Sequence, residues 1–193
     1  MPKNNRFGKA AIWTPTVIKK LRSRLNTPQQ RLIFEISLWT GERMGAIVQL
    51  KVSDVYGLDG KVLDVITFGS STRKSSKHGS AVTRQIYIHP ELREHLAAYT
   101  PASQGFLFPS SRSATKHITA RAVDDYWRKI LNSLGYRGYS THSSRRWVIN
   151  QLRSAGIEIV TIAEAMAINI ATVRKYLDED PTACKNAIAT LSV

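Results

Sequence analysis

An α+β fold, mainly α, with a small antiparallel β-sheet is what the residue pattern of this chain predicts. Apolar residues recur at helical spacing over most of its length, and two runs, Lys61 to Phe68 and Thr83 to His89, read as strands. The Ser-rich, basic segment from Gly69 to Val82 joins those runs as a hairpin. A chain of 193 residues can bury one sizeable core and is short for two ordinary domains. Residues 1–12 are read as a basic flexible tail and 13–193 as the folded unit.

Each element has a local cause. Val17, Ile18, Leu21 and Leu25 place a first helix between Thr16 and Leu25. Asn26-Thr27-Pro28 supplies a cap and a first-turn proline for a second helix through Leu32, Ile36 and Trp39, which Gly41 ends. A short helix restarts over Met44 to Leu50 and closes in a turn around Asp54. After the two strands, Pro90 opens a helix reaching Tyr99, and a loop carries Phe106-Leu107-Phe108-Pro109. Val123, Trp127, Ile130, Leu131 and Leu134 share one face of a helix from Ala120 to Leu134. From Thr141 onward the chain reads as helical segments broken at Gly156 and Pro181. No internal repeat is visible.

The formal net charge is +14, spread along the chain, which favours a polyanion such as nucleic acid as partner over an acidic small molecule. No apolar run approaches the roughly 20 residues that span a bilayer, and Met1 to Lys9 lacks the core of a signal peptide. A soluble, cytoplasmic protein is expected. The single cysteine, Cys184, allows no internal disulfide and no cysteine cage for a metal. Neither a Walker-type glycine loop nor a carboxylate cluster for Mg²⁺ stands out, so no cofactor is expected.

The residue set that carries chemistry is spread along the chain. Thr40-Gly41-Glu42-Arg43-Met44-Gly45 offers one arginine, and His142-Ser143-Ser144-Arg145-Arg146 sets an imidazole and a guanidinium one helical turn apart. Ile170-Ala171-Thr172-Val173-Arg174-Lys175-Tyr176-Leu177 places a tyrosine among cations about thirty residues later. Opening a phosphodiester puts negative charge on equatorial phosphoryl oxygens, which several fixed donors must meet. Arginine suits this best, through its planar fork and permanent charge. Singly, each residue has a plainer use: Arg43 can cap the following helix or pair with Asp54, Arg145 can lie on the surface beside Arg146, and His142 can cap or pack.

As an ordered set, these residues resemble the catalytic domain of the tyrosine recombinase, or phage integrase, family. The resemblance runs from about Trp13 to Tyr176 and includes Phe106-Leu107-Phe108-Pro109-Ser110, similar to a common family loop. It implies a tyrosine-recombinase catalytic-domain fold and an enzyme that cleaves and rejoins DNA strands through a covalent 3′-phosphotyrosine link. It further implies Arg43, His142 and Arg145 as phosphate ligands, Tyr176 as the nucleophile, and a lysine in the strand-to-strand turn as proton donor to the leaving 5′ oxygen. Lys77 of Lys77-His78-Gly79 fits that turn, with Lys74 a competitor that otherwise grips DNA backbone. Arg84 corresponds to a frequent basic residue of the returning strand, expected on DNA backbone together with Arg146, Arg174 and Lys175. Tyr139 is the nearest rival to Tyr176 by position, but the family has no nucleophile there.

Two departures stand out. Family members usually carry an acidic residue three positions after the first arginine, where this chain has Ala46. Nine residues before the tyrosine, where a histidine or tryptophan is usual, stands Ala167, and only a rearranged backbone would let Asn169 replace it. The loss of one phosphate donor costs on the order of 10² to 10³ in rate in other enzymes. Expected partners are double-stranded DNA, further copies of the chain up to a tetramer on DNA, and an accessory protein supplying the clamp domain that the residues before Trp13 are too few to form. An apolar pattern between Pro181 and Val193 suits a short helix for docking on a neighbour or on its own domain. Two alternatives remain: a recombinase-derived DNA-binding protein with impaired catalysis, and a type IB topoisomerase-like DNA-relaxing enzyme.

Overall fold

Capping chemistry starts the first two helices where the sequence places them. In the computed structural model, which describes residues 9–72 and 82–177, Thr14 accepts from the Val17 backbone N–H at 3.3 Å and opens α1 (Pro15–Arg22). Thr27 and Gln30 exchange side-chain-to-backbone bonds around the start of α2 (Pro28–Thr40), a capping box with proline in the first turn. The expectations on Lys74, Lys77, Cys184, the Pro181–Val193 segment and residues 1–8 lie outside the described residues.

After α2 come α3 (Met44–Ile47), a 3₁₀ turn at Val52–Asp54, β1 (Val65–Phe68) and a second 3₁₀ turn at Ser70–Thr72. β2 (Arg84–Tyr87), α4 (Pro90–Ala97), β3 (Pro109–Ser110) and β4 (Ser113–His117) follow. α5 (Ala120–Ser133), α6 (His142–Ser154), α7 (Ile159–Ala165) and α8 (Ile170–Tyr176) complete the described chain. β1 and β2 pair antiparallel, Val65 opposite Tyr87 and Phe68 opposite Arg84, so the hairpin is real but shorter than the two predicted runs. The predicted loop after Leu107 is in fact the edge of a second hairpin, β3 with β4. Ser113-Ala114-Thr115-Lys116-His117 has no apolar alternation that would have revealed it.

Most of α2 is buried, from Leu32 through Leu38, because α4 and α6 pack around it. Trp13 meets Phe34 and Trp127 edge-on, at 5.7 and 5.9 Å between ring centroids, and stacks on Tyr139 at 5.0 Å. Such pairs add about 0.5–1.5 kcal/mol each beyond the area they bury. The Trp13 indole N–H donates to Ser144 Oγ at 3.0 Å, and Ser144 and Ser37 share a further bond, which pins α6 to α2 inside the core. A second cluster, Ile149, Ile162, Ala163, Met166 and Val173, holds α7 and α8 against α6.

The segment expected to be a tail is fastened where it is described. Ala10 is buried, the Ala11 N–H donates to the Gly138 carbonyl at 2.9 Å, and the Ala10 carbonyl accepts from Arg146. Those ties use backbone atoms, which carry no mark in the sequence.

Candidate active site

The α2–α3 junction is built from Thr40-Gly41-Glu42-Arg43. Gly41 adopts φ +59°, closes α2, and lies so near α6 that a Cβ there would fall 2.9 Å from Met166 Cε and 3.0 Å from Val148 Cβ. Both conformation and space therefore require glycine. With no side chain in the way, Arg145 reaches the Gly41 carbonyl at 3.0 Å through Nη1.

Arg145 is 2% exposed, which overturns its reading as a surface residue. Nη1 also donates to Glu42 Oε1 at 3.4 Å, and Nη2 to the Met166 carbonyl at 3.3 Å. Burial pulls its pKa down to about 10, Glu42 and Tyr176 oppose that, and Arg43 and Arg84 add to it. The group stays charged at neutral pH. Its Cζ lies 5.9 Å from the centroid of the Tyr176 ring. The guanidinium and the phenol named from the sequence thus meet, although they sit on different helices.

Arg43 is the residue before α3 and partly buried, and Glu42 Oε1 accepts both from its backbone N–H and from Arg145 Nη1. Asp54 accepts from the Lys51 N–H at 2.7 Å instead of pairing with Arg43. Glu42 is the residue that sequence reasoning missed. It is 1% exposed; Oε1 accepts from the Arg43 N–H at 2.7 Å and from Arg145, and Oε2 accepts from Arg84 Nη1 at 2.9 Å. A carboxylate flanked by glycine and arginine was the available signal, but its partners lie 42 and 103 residues away. Ala46, where the resemblance calls for an acid, is buried in the apolar core.

Two of the expected DNA contacts face inward. Arg84, opposite Phe68 on the covered face of the hairpin, is 7% exposed and spends its guanidinium on Glu42, the Thr40 carbonyl and Met166 Sδ. Arg146 is buried between α6 and α8, donating through Nε to the Tyr176 carbonyl at 3.3 Å and through Nη1 to the Ala10 carbonyl. Asn150 donates to the same Tyr176 carbonyl at 3.0 Å. Arg174 and Lys175 are exposed in the last turn of α8, where cations also suit the helix dipole.

His142 is the first residue of α6 and is exposed, one turn ahead of Arg145. Its helix start is held by Asp124 on α5, which accepts from the Thr141 N–H at 2.9 Å and from Arg128 Nε at 2.6 Å. Burial pushes the Asp124 carboxyl up, but the bonds from Arg128 and Thr141 outweigh it and hold the group below the usual carboxylate range.

Ala167 ends α7 in the left-handed region, φ +46°, a position where glycine is usual, and presents only a methyl group. Asn169 caps α8, its Oδ1 accepting from Thr172 N at 2.7 Å and Thr172 Oγ1 at 2.6 Å. An apolar groove of about 710 Å³ opens elsewhere, beside Trp39, His89 and Trp147, and none of Arg43, Arg145 or Tyr176 lines it. Among the described residues no group of three or more His, Cys, Asp or Glu stands together as a metal would need, and no helix is long and apolar enough to cross a membrane.

A buried arginine facing a tyrosine across two helices, in a mainly helical domain with small antiparallel sheets, has the form of a tyrosine-recombinase catalytic domain. The chain belongs to the phage integrase family, whose model matches residues 13–182. Among solved structures it is similar to XerA recombinase, with a TM-score of 0.70 at 18% identity over 97% of this chain and 65% of that one. It is similar also to the Tn1549 transposon integrase in complex with a circular intermediate DNA, with a TM-score of 0.70 at 14% identity over 98% of this chain and 68% of that one. The catalytic domain of bacteriophage HP1 integrase matches with a TM-score of 0.62 at 19% identity, over 94% of this chain and 95% of that one. No curated protein sequence matches. The chain spans less than two thirds of XerA and little more than half of XerH recombinase, of which it covers 55%.

Proposed function

We propose that this chain is a site-specific DNA recombinase that cleaves and rejoins strands through a covalent 3′-phosphotyrosine intermediate. The observation that carries the reading is the meeting of Arg145 and Tyr176, the guanidinium carbon 5.9 Å from the ring centroid. Arg145 has five donors and spends three bonds on Gly41, Glu42 and Met166, which holds its plane while leaving donors for a phosphate. Arg43 and His142 complete the phosphate ligands. The Tyr176 Oη attacks phosphorus, the bond from phosphorus to the 5′ oxygen breaks, and Lys77 gives that oxygen its proton; rejoining runs the same steps in reverse. The phenol gives up its proton to solvent as the bond to phosphorus forms, and the phosphotyrosine keeps the bond energy, so no nucleotide cofactor is consumed. Related chains described as bound to DNA, such as the Tn1549 integrase, support duplex DNA as the substrate. Assembly of several copies on DNA and completion of the clamp by a partner belong to the same proposal.

Ala167 favours a second reading, a DNA-binding protein with impaired catalysis, because that position offers no side-chain donor. Trapping on a nicked suicide duplex separates the two. The recombinase gives a covalent adduct that Tyr176→Phe abolishes while leaving DNA affinity intact. Salt-sensitive binding with no adduct favours the second reading, and an adduct that survives Tyr176→Phe removes Tyr176 as nucleophile. Supercoil relaxation without strand exchange marks the topoisomerase-like alternative.

A further inference from the structure

Glu42 sits where three parts of the molecule converge: the α2–α3 junction, the β1–β2 hairpin through Arg84, and α6 through Arg145. We propose that Glu42 is a positioning residue for strand cleavage, fixing the plane in which Arg145 presents its donors to the phosphate. The inference rests on the recombinase reading above. A guanidinium on a long side chain has many rotamers, and the two carbonyls of Gly41 and Met166 alone leave its charge uncompensated in a buried place. The Glu42 carboxylate supplies that charge and is itself immobile, because Oε2 is pinned by Arg84 and Oε1 by the Arg43 N–H. The same carboxylate opposes the field that Arg43 and Arg84 exert on Arg145.

Stability alone does not account for this arrangement. A buried ion pair is commonly matched or bettered by apolar residues of similar volume, so an acid and two arginines in the interior call for another reason. The next turn offers Ala46, packed in the core, so the acid arrives from the residue before Arg43 and not from the helix after it.

The test measures two quantities on the full chain well below its melting temperature: the rate of covalent adduct formation on a saturating nicked duplex, and the affinity for that DNA. Glu42→Gln keeps the shape and removes the charge. It is expected to leave affinity near that of the parent and to slow adduct formation about 100-fold, the scale of losing one oriented donor. Glu42→Asp keeps the charge on a shorter arm and is expected to recover part of that loss, which a purely structural role does not require. Adduct formation by Glu42→Gln at the parental rate, or a loss confined to affinity, overturns the proposal. Should Glu42→Gln fail to fold, Glu42→Asp decides alone, and a parental rate overturns it. A parent chain that forms no adduct overturns the recombinase reading and this role together; a parent that forms it while Glu42→Gln is unimpaired overturns only the role of Glu42.

Discussion

The two halves of the candidate site are held in different ways. Arg145 on α6 and Arg43 before α3 sit on elements of the main core, where α2 is enclosed by α4 and α6 and aromatic residues from Trp13 to Trp127 fill the space between helices. Tyr176 rides on α8, which with α7 rests on the smaller cluster of Ile149, Ile162, Ala163, Met166 and Val173. Polar bonds add to that apolar contact with α6: Arg145 on the Met166 carbonyl, and Arg146 and Asn150 on the Tyr176 carbonyl. Free energies of local opening follow the apolar surface an element buries, so the cap is expected to open at lower cost than α2. In the proposed function, the arginines that would hold the phosphate then sit in the half expected to open last, and the candidate nucleophile Tyr176 in the half expected to open first.

Breaking the half expected to open last gives the largest effect. Arg145→Ala is expected to slow adduct formation by on the order of 10² to 10³. It also costs about 3 kcal/mol of stability, since Glu42 loses a buried partner while keeping Arg84. Denaturant melts beside single-turnover trapping check both, and an unchanged rate in a folded variant would remove Arg145 from the phosphate. Met166→Ala probes the boundary, because Met166 is 1% exposed and touches both Arg84 and the approach to Gly41. A loss of about 2–4 kcal/mol is expected. Hydrogen exchange should show it as faster opening of α7 and α8 with α2 little altered. Equal acceleration in α2 would mean that the two halves open as one unit.

The smallest effect concerns Asp124, which braces the start of α6 from the main core. Its folded pKa lies below the ordinary value, so the stability it contributes is present at neutral pH. That stability is lost as pH falls from about 4 through the depressed value. Against Asp124→Asn, the parent should lose about 1 kcal/mol more on acidification below pH 4, measured by melts at both pH values. No difference in acid sensitivity would show that the Thr141 and Arg128 bonds do not depend on the charge.

How much of this was legible beforehand depended on distance along the chain. Thr27-Pro28 and Gly41 announce the ends of α2 because caps and left-handed turns are made by the residues that occupy them. His142, Arg145 and Tyr176 could be picked out by order and spacing, and the structure brings Arg145 to Tyr176. Arg84 and Arg146 were misread as surface contacts, since a sequence of cations does not say which of them find internal acceptors. The β3–β4 hairpin was missed for a similar reason: it lacks apolar alternation, and the preceding Phe106–Leu107 segment is held by backbone contacts to Leu50 and Lys51 far back in the chain.

What the chain's own order of residues determined is the family, the capped helices, the basic character and the candidates proposed to attack and hold a phosphate, because each rests on local geometry or on the residue itself. Only the tertiary structure decided that Glu42 sits among Arg43, Arg84 and Arg145, that Arg146 braces the carbonyl of Tyr176, and that Ala167 turns left-handed at the end of α7. The physical reason is that a charge or a carbonyl acquires its role from whichever group is packed against it, and for Glu42 and Arg145 that group is 103 residues away.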